Sequence, residues 1–157
     1  MNEQNISSLV AAAIKDVISN SFSEMNLDKA KKLALIVENE AKRIGVKAVV
    51  AISNSGARPV LVECMDDSYI ASYDVAFNKA YTVVALKMPT SKLKTLSQPN
   101  QPLYGIQFTN QGQIVIFGGG EPLYKDGKIV GGLGVSGGTE EQDTYLAEFG
   151  AKAWEEL

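Results

Sequence analysis

Read along the chain, the elements run α, α, β, β, α, α, β, β, β, α. That order predicts an α+β fold, a single domain with a five-stranded, mostly antiparallel sheet flanked by helices. Three observations carry the expectation. Short turn sequences join neighbouring strands as hairpins, the helices fall between two groups of strands rather than alternating with them, and 45% of the 157 residues are apolar, enough for one sizeable core.

Residues 1–20 read as an amphipathic helix. Ile6, Leu9, Val10, Ala13, Ile14, Val17 and Ile18 recur at helical spacing, opposite Ser8, Lys15, Asp16 and Ser19. Asn20-Ser21-Phe22-Ser23 is a polar break, and 21–25 reads as a linker to a main domain at 26–157. So short a helix is marginal alone in water and needs its stripe covered. Packing on its own domain and docking on another protein are both open; the regular stripe and the linker favour docking.

The main domain opens with Asn26 as an N-cap. Leu27, Ala30, Leu33, Ala34, Val37, Ala41 and Ile44 form the apolar stripe of a helix that Gly45 ends. Val46–Ser53 is a β-branched strand, Asn54-Ser55-Gly56-Ala57 a turn and Pro59–Cys64 a second strand. Asp67 or Ser68 caps a long helix to about Lys87, with Ile70, Tyr73, Asp74, Phe77, Tyr81 and Val84 along one side. Pro89 stops it and Thr90 starts a short helix to Ser97. Three strands follow at about 105–109, 113–117 and 128–136, with an extra extended piece at 122–124. Asn110-Gln111-Gly112 and Lys125-Asp126-Gly127 are hairpin turns. Thr139 and Gln142 are spaced as a capping box for the last helix, which buries Leu146, Phe149, Ala153 and Trp154.

Composition excludes several chemistries. There is no histidine, which removes a Ser-His-Asp triad, a Cys-His pair, histidine-bound zinc and a histidine ligand to haem. The single cysteine, Cys64, allows no intrachain disulfide and suits a reducing, cytoplasmic setting. A net charge of −3 and the absence of a clustered basic patch argue against nucleic acid as the main partner. No apolar run reaches the eighteen residues of a membrane span, and the N-terminus does not read as a secretory signal. No group of residues reads as a metal site or as a catalytic set.

Nine of the fourteen glycines lie between Gly118 and Gly138. Glycine lets another group approach the main chain closely. The expectation is a surface where backbone N–H and C=O groups meet a ligand or a neighbouring subunit. Gly118-Gly119-Gly120, followed by Glu121, lacks the spacing and the lysine of a P-loop. It reads as a pocket lining beside Tyr104 and Phe117, against the plain alternative of a wide bend. Gly137, Gly138 and Thr139 offer N–H groups at a helix start, suited to a carboxylate or phosphate, against the alternative of a simple strand-to-helix turn. Gly132-Leu133-Gly134-Val135-Ser136-Gly137 matches G-x-G-x-x-G, but no further βα unit follows it, so a dinucleotide fold is not expected. Lys79 is a mid-helix lysine, solvated or ion-paired, with a role as counter-charge or base as the sharper reading. Cys64 at a strand end reads as an inert small hydrophobe, with a metal-ligating thiolate as the alternative.

The segments LDKAKKLALIVENEAKRIGV (27–46), MDDSYIASYDVAFNKAYT (65–82), PLYGI (102–106) and IVIFGGGEPLYKDGKIVGGLGVSGGTEEQD (114–143) resemble the GlcG/HbpS family, whose members include the C-terminal domain of the propanediol-utilisation protein PduO. The resemblance covers 27–150. It implies a profilin-like α+β domain and symmetric homo-oligomers, often octamers. It also implies links to haem binding and corrinoid metabolism; the cofactor stays open, with haem or cobalamin, without histidine ligation, as what the resemblance implies, and Tyr, Met or Cys64 as what is left to hold haem iron. Where family members often carry Gly-Gly-His after the first strand, this chain has Gly56, Ala57 and Arg58; Arg58 cannot ligate iron but can pair with a carboxylate. PduO's adenosyltransferase activity is not expected to come with this domain. Residues 1–20 resemble the encapsulation peptides that carry enzymes into bacterial microcompartments.

Together these give a ligand-binding set of Arg58, Lys79, Tyr104, Phe117, Gly118, Gly119, Gly120, Glu121, Gly137, Gly138 and Thr139. The expected function is a non-catalytic binding protein of a bacterial microcompartment, holding a tetrapyrrole or a small carboxylate metabolite. One alternative is a structural protein whose N-terminal helix docks on a shell or cargo protein. The other is a small enzyme using Lys79, Glu121 or Tyr104 as acid or base.

Overall fold

The computed structural model describes the backbone of residues 3–157 and the side chains of residues 4–15, 17 and 24–157. The elements are α1 (Glu3–Ser23), α2 (Leu27–Arg43), β1 (Val49–Asn54), β2 (Pro59–Cys64), α3 (Ile70–Ala85), α4 (Thr90–Leu96), β3 (Gly120–Lys125), β4 (Lys128–Ser136) and α5 (Glu140–Trp154). The four strands form one antiparallel sheet in the order β2-β1-β4-β3.

The sheet divides the domain into three layers. On one face Val50, Ile52, Leu123, Leu133 and Val135 pack against Leu33, Ala34 and Val37 of α2 and Leu146 and Ala147 of α5. On the other face Val49 and Ala51 meet Ala76 and Ala80 of α3. Local chemistry sets the helix ends. Asn26 accepts from the Lys29 amide at 3.0 Å, and Gly45 closes α2 at φ 75°. Thr139 and Gln142 form the expected capping box. Asp126 (φ 50°) and Gly127 (φ 73°) make the tight β3–β4 turn. The indole N–H of Trp154, 2% exposed, donates to the Tyr124 carbonyl at 2.9 Å and fastens the end of α5 to that hairpin.

Several expectations are corrected. The sheet has four strands, not five. Residues 106–108 and 110–112 are 3-10 turns, with Asn110 and Gln111 both at positive φ. The β-branched run 113–117 lies beside α3: the Thr82 hydroxyl accepts from the Val115 amide at 3.0 Å and donates to the Asn78 carbonyl at 2.7 Å, with the Gln113 carbonyl 3.3 Å away. α3 starts at Ile70 with Tyr69 at its N-cap, not with a cap from Asp67 or Ser68. α1 continues through Ser23 instead of breaking at Asn20, because Asn20–Ser23 holds neither proline nor glycine to stop it.

α3 also turns its small face to the sheet. Ser72, Ala76, Ala80 and Val83 are buried, while Ile70 and Tyr73 point outward. β4 explains why. A Cβ on Gly132 would overlap the Ala80 carbonyl oxygen. One on Gly134 would overlap the Ala76 carbonyl oxygen and lie 2.7 Å from the Ala80 amide nitrogen. The helix backbone rests directly on the strand backbone. These glycines therefore serve packing, contrary to the expectation of an open surface.

Candidate functional site

The Gly118–Gly120 run is filled. A side chain at Gly118 would strike the Thr144 hydroxyl, one at Gly119 would sit 2.5 Å from Lys79 Nζ, and one at Gly120 would lie 2.8 Å from the Thr90 methyl. The Gly118 amide donates to Glu140 Oε1 and the Gly120 amide to Thr90 Oγ1, each at 2.9 Å. Within a single chain these groups are engaged.

Lys79 is 0% exposed. Its ammonium donates to the Val135 carbonyl at 2.7 Å and to Asp143 Oδ2 at 3.3 Å, and lies 4.9 Å from the centre of the Phe117 ring. Asp143 Oδ1 accepts from the Gly138 amide at 2.9 Å. Burial pushes the Lys79 ammonium below its usual range, and Asp143 and Glu140 oppose that shift. Lys79, Phe117, Gly119, Gly138 and Asp143 thus form one internal polar knot joining α3, β4 and α5. Asp143 was absent from the sequence-derived set; its place one residue past the capping-box glutamine, inside the distinctive GGTEEQD run, is the signal that could have found it.

Glu121 lies apart from that knot. It lines a hollow of about 290 Å³ with Glu148, Lys152 and Glu155, and its carboxyl is pushed up to about 7 by burial first and by the Glu148 charge second. Lys79 and Glu121 therefore do not converge on a common cleft. The raised value makes the folded state hold a proton that the unfolded chain releases near pH 4.5. Stability contributed here is complete below that pH and is lost as pH rises through 7. Glu121→Gln is expected to be more stable than the parent by about 1–2 kcal/mol at pH 8, a figure reduced for solvent screening, and equal to it near pH 4. Denaturant titrations at the two pH values check this.

The other expected residues are scattered. Arg58 is exposed at the β1–β2 turn, its backbone held by Asn54, and Tyr104 is 66% exposed in the turn after α4. Gly137, Gly138 and Thr139 do line a hollow, of about 460 Å³, with Gly45, Lys47, Asp67, Tyr69 and Gln142. Yet the Gly138 amide is taken by Asp143 and the Thr139 amide by Gln142, so this helix start is capped from within.

A neighbouring hollow, about 490 Å³, shares Gly45, Val46 and Lys47 and adds Glu38, Lys42, Cys64, Met65 and Asp66. Here two cations and two sulfur-bearing side chains meet. Cys64 is exposed and free. Met65 Sδ accepts from the Ala48 amide at 3.3 Å, and Lys47 pairs with Asp67 at 2.7 Å. Burial, followed by the nearby Glu63 charge, raises the Glu38 carboxyl. Among the described residues no group of three or more Cys, Asp and Glu side chains is arranged to hold a metal ion, and no helix is long and apolar enough to cross a membrane.

Of the expected docking residues, Ile6, Leu9, Val10, Ile14 and Val17 are 47–68% exposed, and Ala13 is exposed too. Among the described side chains of α1, none of the stripe is buried on the domain. Ile18 lies outside the described side chains.

The three-layered α+β domain, with its four-stranded sheet and glycine-packed β4, defines a protein class that sequence comparison identifies. The chain belongs to the family described as haem degrading protein HbpS-like, whose model matches residues 25–152. It is 43% identical over 139 residues to an uncharacterized 15.0 kDa protein of the dhaT-dhaS intergenic region of Citrobacter freundii, covering 88% of this chain and 98% of that one. It is 35% identical over 138 residues to the corrinoid adenosyltransferase PduO of Citrobacter freundii, covering 88% of this chain but only 40% of PduO. It also matches the crystal structure of a PduOC:heme complex, with a TM-score of 0.80 and 35% identity over 83% of this chain and 94% of that one.

Proposed function

We propose that this protein binds a haem-type or corrinoid tetrapyrrole and acts as a binding protein rather than as an acid–base enzyme. The observation that carries the reading is the likeness to the PduOC:heme complex across nearly all of that chain. The hollow between α2, β1 and the end of β2 supplies a suitable donor set. With no histidine in the chain, a tyrosine, methionine or cysteine would have to ligate iron; in this hollow that is Cys64, or Met65 on giving up the Ala48 amide. Lys42 offers counter-charge to propionates, and Lys47 would add its own on leaving Asp67. A bound iron tetrapyrrole would supply redox and small-gas chemistry; the chain would supply a ligating sulfur, the lysine charge and the apolar side of Val46. The glycine runs, expected to make the polar contacts, are already committed to packing within the chain.

Haemin titration followed by absorption tests the reading. A saturable, sharpened Soret band at micromolar haemin is expected, with Cys64→Ser shifting that band or weakening binding about tenfold. No saturable change with haemin or with cobalamin overturns it.

A second reading, a homo-oligomeric structural or docking protein, rests on the uncovered stripe of α1. In that reading residues 1–20 dock on a bacterial microcompartment shell or cargo protein and the domain stays in the cytoplasm. A chain lacking residues 1–20 is expected to lose co-purification with microcompartments; retention overturns the targeting role.

A further inference from the structure

The β1–β2 turn, the β3–β4 hairpin and the end of α3 enclose a hollow of about 530 Å³ that none of the chemistry above uses. It lies where β1 ends and β4 begins. The Cys64 hollow lies where β1 begins and β2 ends, so a strand's length, roughly 20 Å, separates the two. Val84 of α3, 8% exposed, and Ile129 of β4 make its apolar side. Tyr124 and Ile129 are register partners across β3 and β4, so their side chains share one face of the sheet.

The rest of the lining is cationic and hydroxylic. Lys87 comes from the end of α3, Lys128 from the hairpin and Ser55 from the β1–β2 turn. Among the described residues neither lysine forms an ion pair, and neither the Ser55 nor the Tyr124 hydroxyl forms a hydrogen bond within the chain. No carboxylate lines this hollow; Asp126, at the hairpin tip, lies outside it. The hollows described above carry Glu38 and Asp66, or Asp67, or Glu121, Glu148 and Glu155. In a chain with 18 acidic and 15 basic residues, two free cations without a carboxylate mark this one as different. Lys87 also follows the α3 C-cap at φ 55°, a left-handed position that glycine fills with least strain. The helix dipole favours a cation near this end, but a lysine in the last turn would serve it without the strain.

We propose that this hollow is a binding site for a small organic anion, one that carries a carboxylate or phosphate on an apolar or aromatic body. Lys87 and Lys128 meet the anionic oxygens, the Ser55 and Tyr124 hydroxyls donate to them, and Val84, Ile129 and the Tyr124 ring cover the body. The site is separate from the tetrapyrrole hollow, and both can be filled at once.

Calorimetric titration of the full chain with benzoate, phenyl phosphate, inorganic phosphate and the neutral benzyl alcohol tests this. Benzoate or phenyl phosphate is expected to bind saturably, the tighter of the two assigning the anionic head, with inorganic phosphate and benzyl alcohol weaker than either. Lys87→Gly, which also relieves the backbone, and Lys128→Gln are each expected to weaken binding about fivefold or more with the thermal midpoint retained. Lys92→Gln, exposed on α4 outside the hollow, is expected to leave binding unchanged. Haemin binding is expected to be the same in all three variants, which keeps this site distinct from the tetrapyrrole reading. No saturable binding of benzoate or phenyl phosphate at millimolar concentration overturns the site. So does binding that Lys87→Gly and Lys128→Gln leave intact, and inorganic phosphate binding as tightly as phenyl phosphate overturns the apolar side.

Discussion

Gly134→Ala is expected to lower stability by about 3 kcal/mol or more and the thermal midpoint by roughly 6–12 °C. Adding a single methyl group to a strand is ordinarily mild. Here it would overlap the Ala76 carbonyl oxygen and stand 2.7 Å from the Ala80 amide nitrogen. Both are backbone atoms in the middle of α3, so no rotamer change relieves them; the helix must lift from β4. Ala76→Gly in the same molecule is not expected to rescue it, because the obstructing atom is not in a side chain. Gly127→Ala gives the comparison. That glycine sits at φ 73° with nothing within 4 Å, so only its backbone preference is lost, costing about 1 kcal/mol. Equal midpoints for the two variants in differential scanning calorimetry contradict direct helix-on-strand contact.

Lys79→Met is expected to cost about 3–5 kcal/mol, and Lys79→Met with Asp143→Asn to recover most of it. The single change leaves Asp143 buried without its cation and the Val135 carbonyl without its ammonium donor. The double change removes both charges and keeps an oxygen for the Gly138 amide. Coupling between the two sites in a double-mutant cycle is then large, on the order of 2–3 kcal/mol. Additive single effects contradict the pairing. Because the knot joins α3, β4 and α5, its loss is also expected to accelerate amide exchange at the start of α5.

Much of the fold was legible where structure is written locally. The β1–β2 turn, the Asp126-Gly127 turn, the capping box and the Gly45 stop each depend on a few adjacent residues, and each is where the sequence reading put it. The two missing strands fail for a non-local reason. Ile114, Val115 and Ile116 have strand-forming side chains, but the Val115 amide is taken by Thr82, 33 residues earlier. Hydrophobic pattern cannot report such a competitor. The glycines were misread for a related reason. Gly132 and Gly134 announce a close approach to the main chain, but not whether a ligand or the protein's own helix makes it. The alanines that answer, Ala76 and Ala80, lie more than fifty residues away and on the less conspicuous side of α3. The candidate site was the least legible part. Cys64 was weighed as a ligand, but Lys42, Lys47 and Met65 gather beside it only through the corner between α2 and β1. Lys79 was read as solvated or ion-paired, and the partner that decides between those, Asp143, is 64 positions distant.

Trp154 is the single tryptophan of the chain, and its indole is fastened to the β3–β4 hairpin. That makes the molecule its own optical gauge. Emission from this one ring reports whether the final helix is seated, so detachment of the C-terminal end would register as a red shift even while circular dichroism still records intact helices. A guest that loosens or tightens that end could be followed by fluorescence without attaching any dye.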